Sequence, residues 1–354
     1  MDKKTIVVLF GGQSSEHEIS CMSAVTIIQA INTAEYHVMA VGITKEGHWL
    51  LVNDVTDISS GTWETGTIMA VLSPDATRKE LICIEEGKYV TYPVDLVFPV
   101  LHGRNGEDGT IQGLLELAEL PYVGCGLIAS ALGMDKLYTK MVVATLGISQ
   151  AAYVPLLKSE LTHMDVAIEK IEQKLQYPIF VKPANAGSSR GISKAHDRKE
   201  LQAALIEAAK HDDRLLAEET IIGRELECAV LGGEEAQASG VGEILTASEF
   251  YDYDSKYNDV DSRTVIDPEL PEGIADQIRQ AAVTIFQALS GYGLSRVDFF
   301  LEQDSNRIIF NEINTLPGFT GISMYPMLWK ARGIDIETLV AKQIALAYER
   351  KRQG

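Results

Sequence analysis

Two stretches of the chain carry side chains whose types and spacing suit chemistry on a charged substrate. The first, residues 177–191, reads YPIFVKPANAGSSRG. A short apolar strand there ends in Lys182 and runs into a loop of small residues that includes Gly187, Ser188, Ser189 and Gly191. Backbone N–H groups in such a loop form a concavity for an anion, and Lys182 adds a point charge; together they suit a polyphosphate. The plain alternative is an ordinary turn with a surface lysine, because Gly/Ser loops are common punctuation. The second stretch pairs SRVDFFL at 295–301 with RIIFNEI at 307–313 across a polar turn. Strand alternation puts Arg296 and Asp298 on one face, and Glu312 and Asn314 on one face of the neighbouring strand. Asp298, Glu312 and Asn314 are hard oxygen donors, and a partly hydrated cation such as Mg²⁺ is held by one or two carboxylates plus substrate phosphates. An exposed polar sheet face is the alternative. It is weakened by the apolar neighbours, since acids inside apolar strands are costly unless something neutralises them.

Two further residues sit where a cleft is expected. Residues 5–10 (TIVVLF) read as a strand covered on both faces, ended by Gly11-Gly12, and SSEHE at 14–18 gives a capping-box-like entry to a helix reaching about residue 31. Glu16 lies where that loop meets the helix, either complementing the helix dipole or holding an ammonium. Residues 96–101 (LVFPVL) are again a buried-strand pattern, delivering His102 and GRNGEDG before a helix at 111–119. Ligands of such sheets bind at the carboxyl ends of the parallel strands, which is where Glu16 and His102 fall. A satisfied structural histidine remains the other reading of His102. GGQSSE is not G-x-G-x-x-G, and no G-x-x-x-x-G-K-[ST] occurs, so neither a dinucleotide fingerprint nor a P-loop is present.

The elements that must position these groups follow in order. A strand is expected at 38–43, and residues 53–87 are weakly patterned. LPYVGC at 120–125 reads as a domain exit, and a single helix carrying 134–136 is expected from 128 to about 146. Strands at 152–156, 178–181, 192–194 and 215–219, with helices at 164–175 and 198–210, make a small α+β module. A strand at 225–231 opens the last third. Residues 248–267 are polar and studded with aromatics, without helical or strand period, and are read as a lid. Helices at 272–289 and from about 336 complete the chain.

A length of 354 residues predicts two or three domains. The net charge of −19 argues against a nucleic-acid surface and against an anionic membrane face, while an anionic small substrate would then call for a divalent mediator. The four cysteines form no C-x-x-C pair, and the seven histidines no H-x-x-x-H, so neither a disulfide framework nor a zinc site is expected. The apolar run after MDKK is too short for a signal h-region, and no run approaches ~20 apolar residues, so the expected location is cytoplasmic.

FGGQSSEHEIS, LHGRNGEDGTIQGLLEL, ASALGMDKLYTK, FVKPANAGSSRGIS, EFYDYDSKY, SRVDFF and NEINTLPGFT occur in this order over essentially the whole chain. With them the chain resembles the ATP-grasp superfamily and, within it, the D-alanine–D-alanine ligase family. The resemblance implies an α/β and α+β fold: an N-terminal Rossmann-like parallel-sheet domain (1–124), a small central α+β domain (125–219) and a larger C-terminal α+β domain (220–354). It implies ATP-dependent joining of two D-alanine molecules through an acyl phosphate, for peptidoglycan precursors, by a homodimer.

Roles follow from the resemblance residue by residue. Lys136 and Lys182 would bind ATP phosphates, with the loop holding Gly187 and Ser189 closing over them and Lys256 reaching the γ-phosphate. Glu218, Glu219 and Ile221 would meet the adenine, and Glu225 the ribose. Asp298, Glu312 and Asn314 would hold two Mg²⁺ or Mn²⁺ ions. Glu16 would bind the ammonium of the first D-alanine in a set with Ser188 and Tyr257, with His102 beside that substrate. Arg296 and the Gly318 N–H would stabilise the oxyanion, and Ser323 the second substrate's carboxylate. Ala186 stands where some relatives carry an acid, and Glu219-Thr220 lack an aromatic found near the adenine in others. Met324 follows Ser323 where relatives using D-lactate or D-serine often carry arginine, which, with Lys256-Tyr257, favours D-alanine as second substrate. D-alanyl-D-serine formation is the alternative, and another ATP-grasp carboxylate–amine ligase a further one.

Overall fold

Ile6 to Phe10 are completely buried in β1 (Lys4–Gly11), the strand on which the first sheet is centred. β1 pairs in parallel with β2 (Tyr36–Ile43) on one side and β7 (Leu96–Val100) on the other, so both faces and both edges are covered. That is why residues 5–10 are continuously apolar. The structure, a computed structural model, describes residues 3–187, 190–245 and 263–353. Gly11 and Gly12 turn the chain at φ 82° and 97°, and a Cβ on Gly11 would lie 2.3 Å from the Ile43 carbonyl oxygen. α1 (His17–Ala30) follows. The expected capping box does not form: Glu16 is the N-cap residue without a side-chain cap bond, and its N–H instead donates to Ser14 Oγ at 3.1 Å.

The weakly patterned region completes this sheet. β3 (Trp49–Val52), β4 (Met69–Leu72), β5 (Glu80–Glu85) and β6 (Lys88–Pro93) add in antiparallel order β6-β5-β4-β3-β2-β1-β7, with α2 (Val55–Ser60) between β3 and β4. The parallel part is therefore three strands, extended by four antiparallel ones. α3 (Thr110–Leu117) follows β7.

The helix expected at 128–146 is two helices, α4 (Leu127–Met134) and α5 (Lys136–Ala144). The break is at Asp135, whose carboxylate accepts from the Leu137 and Tyr138 N–H groups and so starts α5 afresh. β8 (Tyr153–Leu157), β9 (Ile179–Pro183), β10 (Ser193–Ala195) and β11 (Arg214–Glu219) then form an antiparallel sheet in the order β10-β9-β11-β8. α6 (Met164–Glu172) and α7 (Arg198–Ala208) share its core.

The third sheet is antiparallel, in the order β14-β13-β12-β15-β16: β12 (Gly223–Gly232), β13 (Gln237–Leu245), β14 (Arg263–Ile266), β15 (Gly293–Glu302) and β16 (Ile308–Asn314). Leu226, Cys228 and Val230 pack against α8 (Ile274–Ala288) on one face. Ala229 and Leu231 on the other join a core that also holds α9 (Met324–Ala331), α10 (Ile336–Gln353), β1 and α1. That shared core ties the first sheet to the third. β13 and α9 were not anticipated from the sequence. β14 occupies the end of the polar 248–267 stretch, whose residues 248–262 lie outside the described residues.

Candidate active site

Antiparallel register generates a row of acids. Glu227 on β12 pairs with Asp298 on β15, and Asp298 with Glu312 on β16; two residues along, Ala229, Arg296 and Asn314 make the next row. Directly opposed residues share a face, so three carboxylates, a guanidinium and an amide are collected on one patch. Arg296 takes both oxygens of Asp298 at 2.8 and 2.7 Å and lies 3.2 Å from Glu227. Burial would lower the Arg296 pKa, but Asp298 and Glu227 outweigh it and hold the guanidinium well above its usual value.

Two cavities meet at this patch. The smaller, about 170 Å³, is lined by Glu16, His102, Gly187, Arg296, Gly318, Ser323 and Met324, among others. The larger, about 620 Å³, lies between the second and third sheets and is lined by Lys182, Glu218, Glu219, Ile221 and Glu225, among others. Glu312 lines both. Lys136, at the start of α5, also lines the smaller one; its Nζ donates to the Ala186 carbonyl at 2.8 Å and sits 3.9 Å from Glu312.

In the larger cavity the Glu218 carboxylate is held from both sides, by Lys182 at 2.6 Å and Lys140 at 2.5 Å. Burial alone would raise its pKa, but the two ammonium groups reverse this and hold it down at about 2. Lys182, disfavoured as a cation by burial, is kept charged by Glu218, and its pKa is raised. Glu219, at the end of β11, accepts from the Ala152 N–H at 2.7 Å, just ahead of β8.

Loops from opposite ends of the chain build the smaller cavity. Glu16 lies so close to two glycines that a Cβ on Gly103 or Gly187 would stand 3.1 or 3.4 Å from its Oε2. The His102 Nδ1–H donates to the Leu316 carbonyl at 2.8 Å. Burial lowers the His102 pKa, although Glu16 pulls the other way, so the ring is neutral at pH 7. The carboxylate of Glu107 accepts from the Gly103 N–H at 2.6 Å and from the Leu316 N–H at 3.3 Å. Burial, with Glu16 adding to it, pushes the Glu107 pKa up to about 8. Ser323 Oγ accepts from the Thr320 N–H at 3.0 Å, which fixes the turn just ahead of α9. Met324 is buried; a Cβ on Gly242 would come within 2.3 Å of its sulfur, so that glycine makes room for it.

Besides Asn314, fourteen of the residues singled out from the sequence, fifteen in all, are thus found in or beside one continuous cleft: Glu16, His102, Lys136, Lys182, Gly187, Glu218, Glu219, Ile221, Glu225, Arg296, Glu312, Gly318, Ser323 and Met324. Asn314 lines the smaller cavity too. Asp298 does not line either, because Arg296 covers it. Ser188, Ser189, Lys256 and Tyr257 lie outside the described residues. Lys140, Glu107 and Glu227 were missed. Lys140 stands four residues after Lys136, one helical turn on, and Glu107 lies within GRNGEDG, so both were within motifs already noticed. Glu227 had no local signal; only the β12–β15 register brings it to Arg296.

No group of three His, Cys, Asp or Glu side chains arranged to hold a metal occurs among the described residues. The donors collected here are instead carboxylates plus an amide, hard oxygens of the kind that bind Mg²⁺ with substrate and water completing the shell. They fit such an ion, provided Arg296 yields an Asp298 oxygen.

Comparison with known proteins covers the whole chain. The D-ala D-ala ligase N-terminus family model matches residues 5–125, and the D-ala D-ala ligase C-terminus model residues 142–345. The D-alanine–D-alanine ligase of Acetivibrio thermocellus is 49% identical over 99% of this chain and 97% of its own. Among solved structures, the VanG D-Ala:D-Ser ligase of Enterococcus faecalis superposes with a TM-score of 0.88 at 40% identity, covering 98% of this chain and 100% of that one. The D-alanine–D-alanine ligase of Coxiella burnetii superposes at 0.85 with 34% identity, over 100% of this chain and 96% of that one.

Proposed function

The chain belongs to the D-alanine–D-alanine ligase family, and from that premise we propose how its cleft joins two D-alanine molecules at the expense of ATP. The observation that carries the reading is that Glu312 belongs to two cavities at once, one sized for small amino acids and one for a nucleotide. A triphosphate in the larger cavity can therefore present its terminal phosphoryl group to a carboxylate in the smaller one.

Each residue then has a physical task. Lys182 and Lys136 neutralise phosphate oxygens, which phosphoryl transfer needs because its transition state spreads negative charge over them. Glu218, Glu219 and Ile221 border the adenine, and Glu225 the ribose. Glu16 pairs with the ammonium of the first D-alanine, and neutral His102 lies beside it. The carboxylate of that D-alanine attacks the γ-phosphorus as the bond to ADP breaks, and the amine of the second D-alanine attacks the acyl phosphate so formed; the tetrahedral intermediate then expels phosphate and the nitrogen loses a proton, leaving the amide. Arg296 and the Gly318 N–H are the donors for the oxygen that becomes negative in the tetrahedral intermediate. Ser323 receives the second carboxylate, and apolar Met324 leaves a hydroxyl-bearing side chain without a partner.

Asp298, Glu312 and Asn314 are the residues that would hold Mg²⁺ or Mn²⁺, which when bound supplies positive charge against the phosphates. The acid row supports this assignment, because a polyphosphate beside Glu225, Asp298 and Glu312 would otherwise meet carboxylates of its own sign. A three-unit division at 1–124, 125–219 and 220–354, a cytoplasmic location and a homodimeric state are part of the same proposal. No helix among the described residues is long and apolar enough to cross a membrane.

The test is phosphate release from Mg-ATP with D-alanine, alone and with competing D-serine, with products resolved by mass. D-Ala-D-Ala is expected as the dominant product. A dominant mixed D-Ala-D-Ser product would overturn the Met324 argument, and the absence of D-alanine-dependent turnover would overturn the whole reading. The likeness to VanG keeps the D-serine arm worth running. Packing alone excludes an added hydroxyl by only about 10²-fold.

A further inference from the structure

α1 does more than present Glu16 at its first turn. Ser23, completely buried further along the same helix, reaches across to the loop that carries Gly318. Its Oγ accepts from the Phe319 N–H at 3.1 Å and lies 3.4 Å from His102 Nε2. A carbonyl can only accept, so the His102 Nδ1 that bonds the Leu316 oxygen carries the proton, and Nε2 is the acceptor. The Ser23 hydroxyl therefore has a defined direction, donating to His102 and accepting from Phe319. The two residues hold the loop at Leu316 and Phe319, on either side of Gly318. A Cβ on Gly318 would stand 3.8 Å from Ser23 Oγ, so the helix and the loop are in contact at this point.

We propose that Ser23 is a positioning residue for the reaction, fixing the Gly318 N–H through its bonds to Phe319 and His102. The proposal rests on the ligase reading, since it gives Gly318 the oxyanion. Ser23 touches no substrate in this assignment. It acts through the loop, which in a water-filled gap would be free to shift. A donor displaced by about 1 Å from a forming oxyanion loses much of its effect, and rate losses near 10²-fold accompany such shifts. The geometry also unites two tasks on one helix: α1 begins at the residue proposed to hold the first substrate and continues to the one that sets the donor for the intermediate.

The experiment compares the full chain with Ser23→Ala and Ser23→Cys, reading kcat, KM for ATP and for D-alanine, and ADP affinity by calorimetry. Ser23→Ala is expected to lower kcat and kcat/KM for D-alanine together by about 10–100-fold, the pattern of an interaction made only in the transition state. ADP affinity and KM for ATP should stay within about twofold, since the larger cavity is untouched. Ser23→Cys, whose thiol donates weakly, should fall between. Unchanged kcat in Ser23→Ala would overturn the proposal. So would a loss of ADP affinity in step with kcat, because that is the mark of general unfolding. Failure of the ligase reading is distinguishable, since the unsubstituted chain would then form no dipeptide.

Discussion

The two halves of the cleft are built differently. The half proposed for the nucleotide stands on strands: Lys182 on β9, Glu218 on β11, Glu225 on β12 and Glu312 on β16 are held by ladder hydrogen bonds before any ligand arrives. The half proposed for the amino-acid substrates is made of loops and helix starts, with Glu16, His102, Gly318 and Ser323 coming from opposite ends of the chain. The nucleotide half is therefore preorganised by local backbone structure, with the Glu218 carboxylate already set between Lys182 and Lys140. The substrate half depends on three cross-loop bonds, from Ser23, His102 and Glu107, to bring distant segments into register. Damage to a strand residue should act on its own ligand contact, whereas damage at the substrate half should spread to its neighbours.

The strongest way to break this contrast is Arg296→Ala, at the junction. It removes the proposed oxyanion donor and leaves Asp298 and Glu227 buried without their cation. Loss of one such donor costs about 10²–10³ in rate, and breaking a buried ion pair about 3–5 kcal/mol. Steady-state kinetics and a chemical melt on one sample should show both losses; a melt unchanged from the parent would mean that the acids had found other partners.

Lys182→Ala sharpens the comparison from the nucleotide side. Glu218 keeps Lys140, so the sheet should hold, and the effect should appear mainly in nucleotide binding. KM for ATP is expected to rise by about 10–100-fold, as for loss of a charge-assisted contact worth about 1.5–3 kcal/mol. KM for D-alanine should change little. A matching rise in both would remove the distinction between the halves.

The last effect is a pH dependence of stability, which leaves the reaction itself aside. Glu218 titrates near 2 in the folded chain against an ordinary value of 4.5. Its contribution to stability is therefore fully present above about pH 4.5 and lost as pH falls toward 2, an order of ~3 kcal/mol in all. Melts of Glu218→Gln should show a flatter acid limb than the parent between those values. Glu107 has the opposite sign: its pKa is raised to about 8, so its contribution is greatest below 4.5 and is lost as pH rises through 8. Glu107→Gln should flatten the upper limb instead. If the two variants flattened the same limb, the assignment of opposite environments to the two acids would be wrong.

Much of this molecule was legible in its residues. Residues 5–10 and 96–101 announced buried strands by being continuously apolar, and Arg296, Asp298, Glu312 and Asn314 announced a hairpin face by alternation, because side-chain direction in a strand is set every two residues by the backbone itself. The ordered motifs carried the family and with it the expected roles. Other features were hidden for physical reasons. The Asp135 break joins two helical patterns that run on in sequence, and only the cap geometry separates them. β3, β4 and β5 alternate buried and more open positions, but apolar residues stand at both, so no period shows in the sequence, and β6 is almost wholly exposed.

What the chain determined by itself, then, was which residues are available for chemistry and which local element carries each. What only the tertiary structure decided was their pairing: Glu227 with Arg296, Lys140 with Lys182 across Glu218, Ser23 and Glu107 with a loop some three hundred and two hundred residues away. Local backbone rules act over a few residues. Contacts at such separations exist because buried polar groups must find partners once the sheets have packed, and the partners are whatever the packing brings within reach.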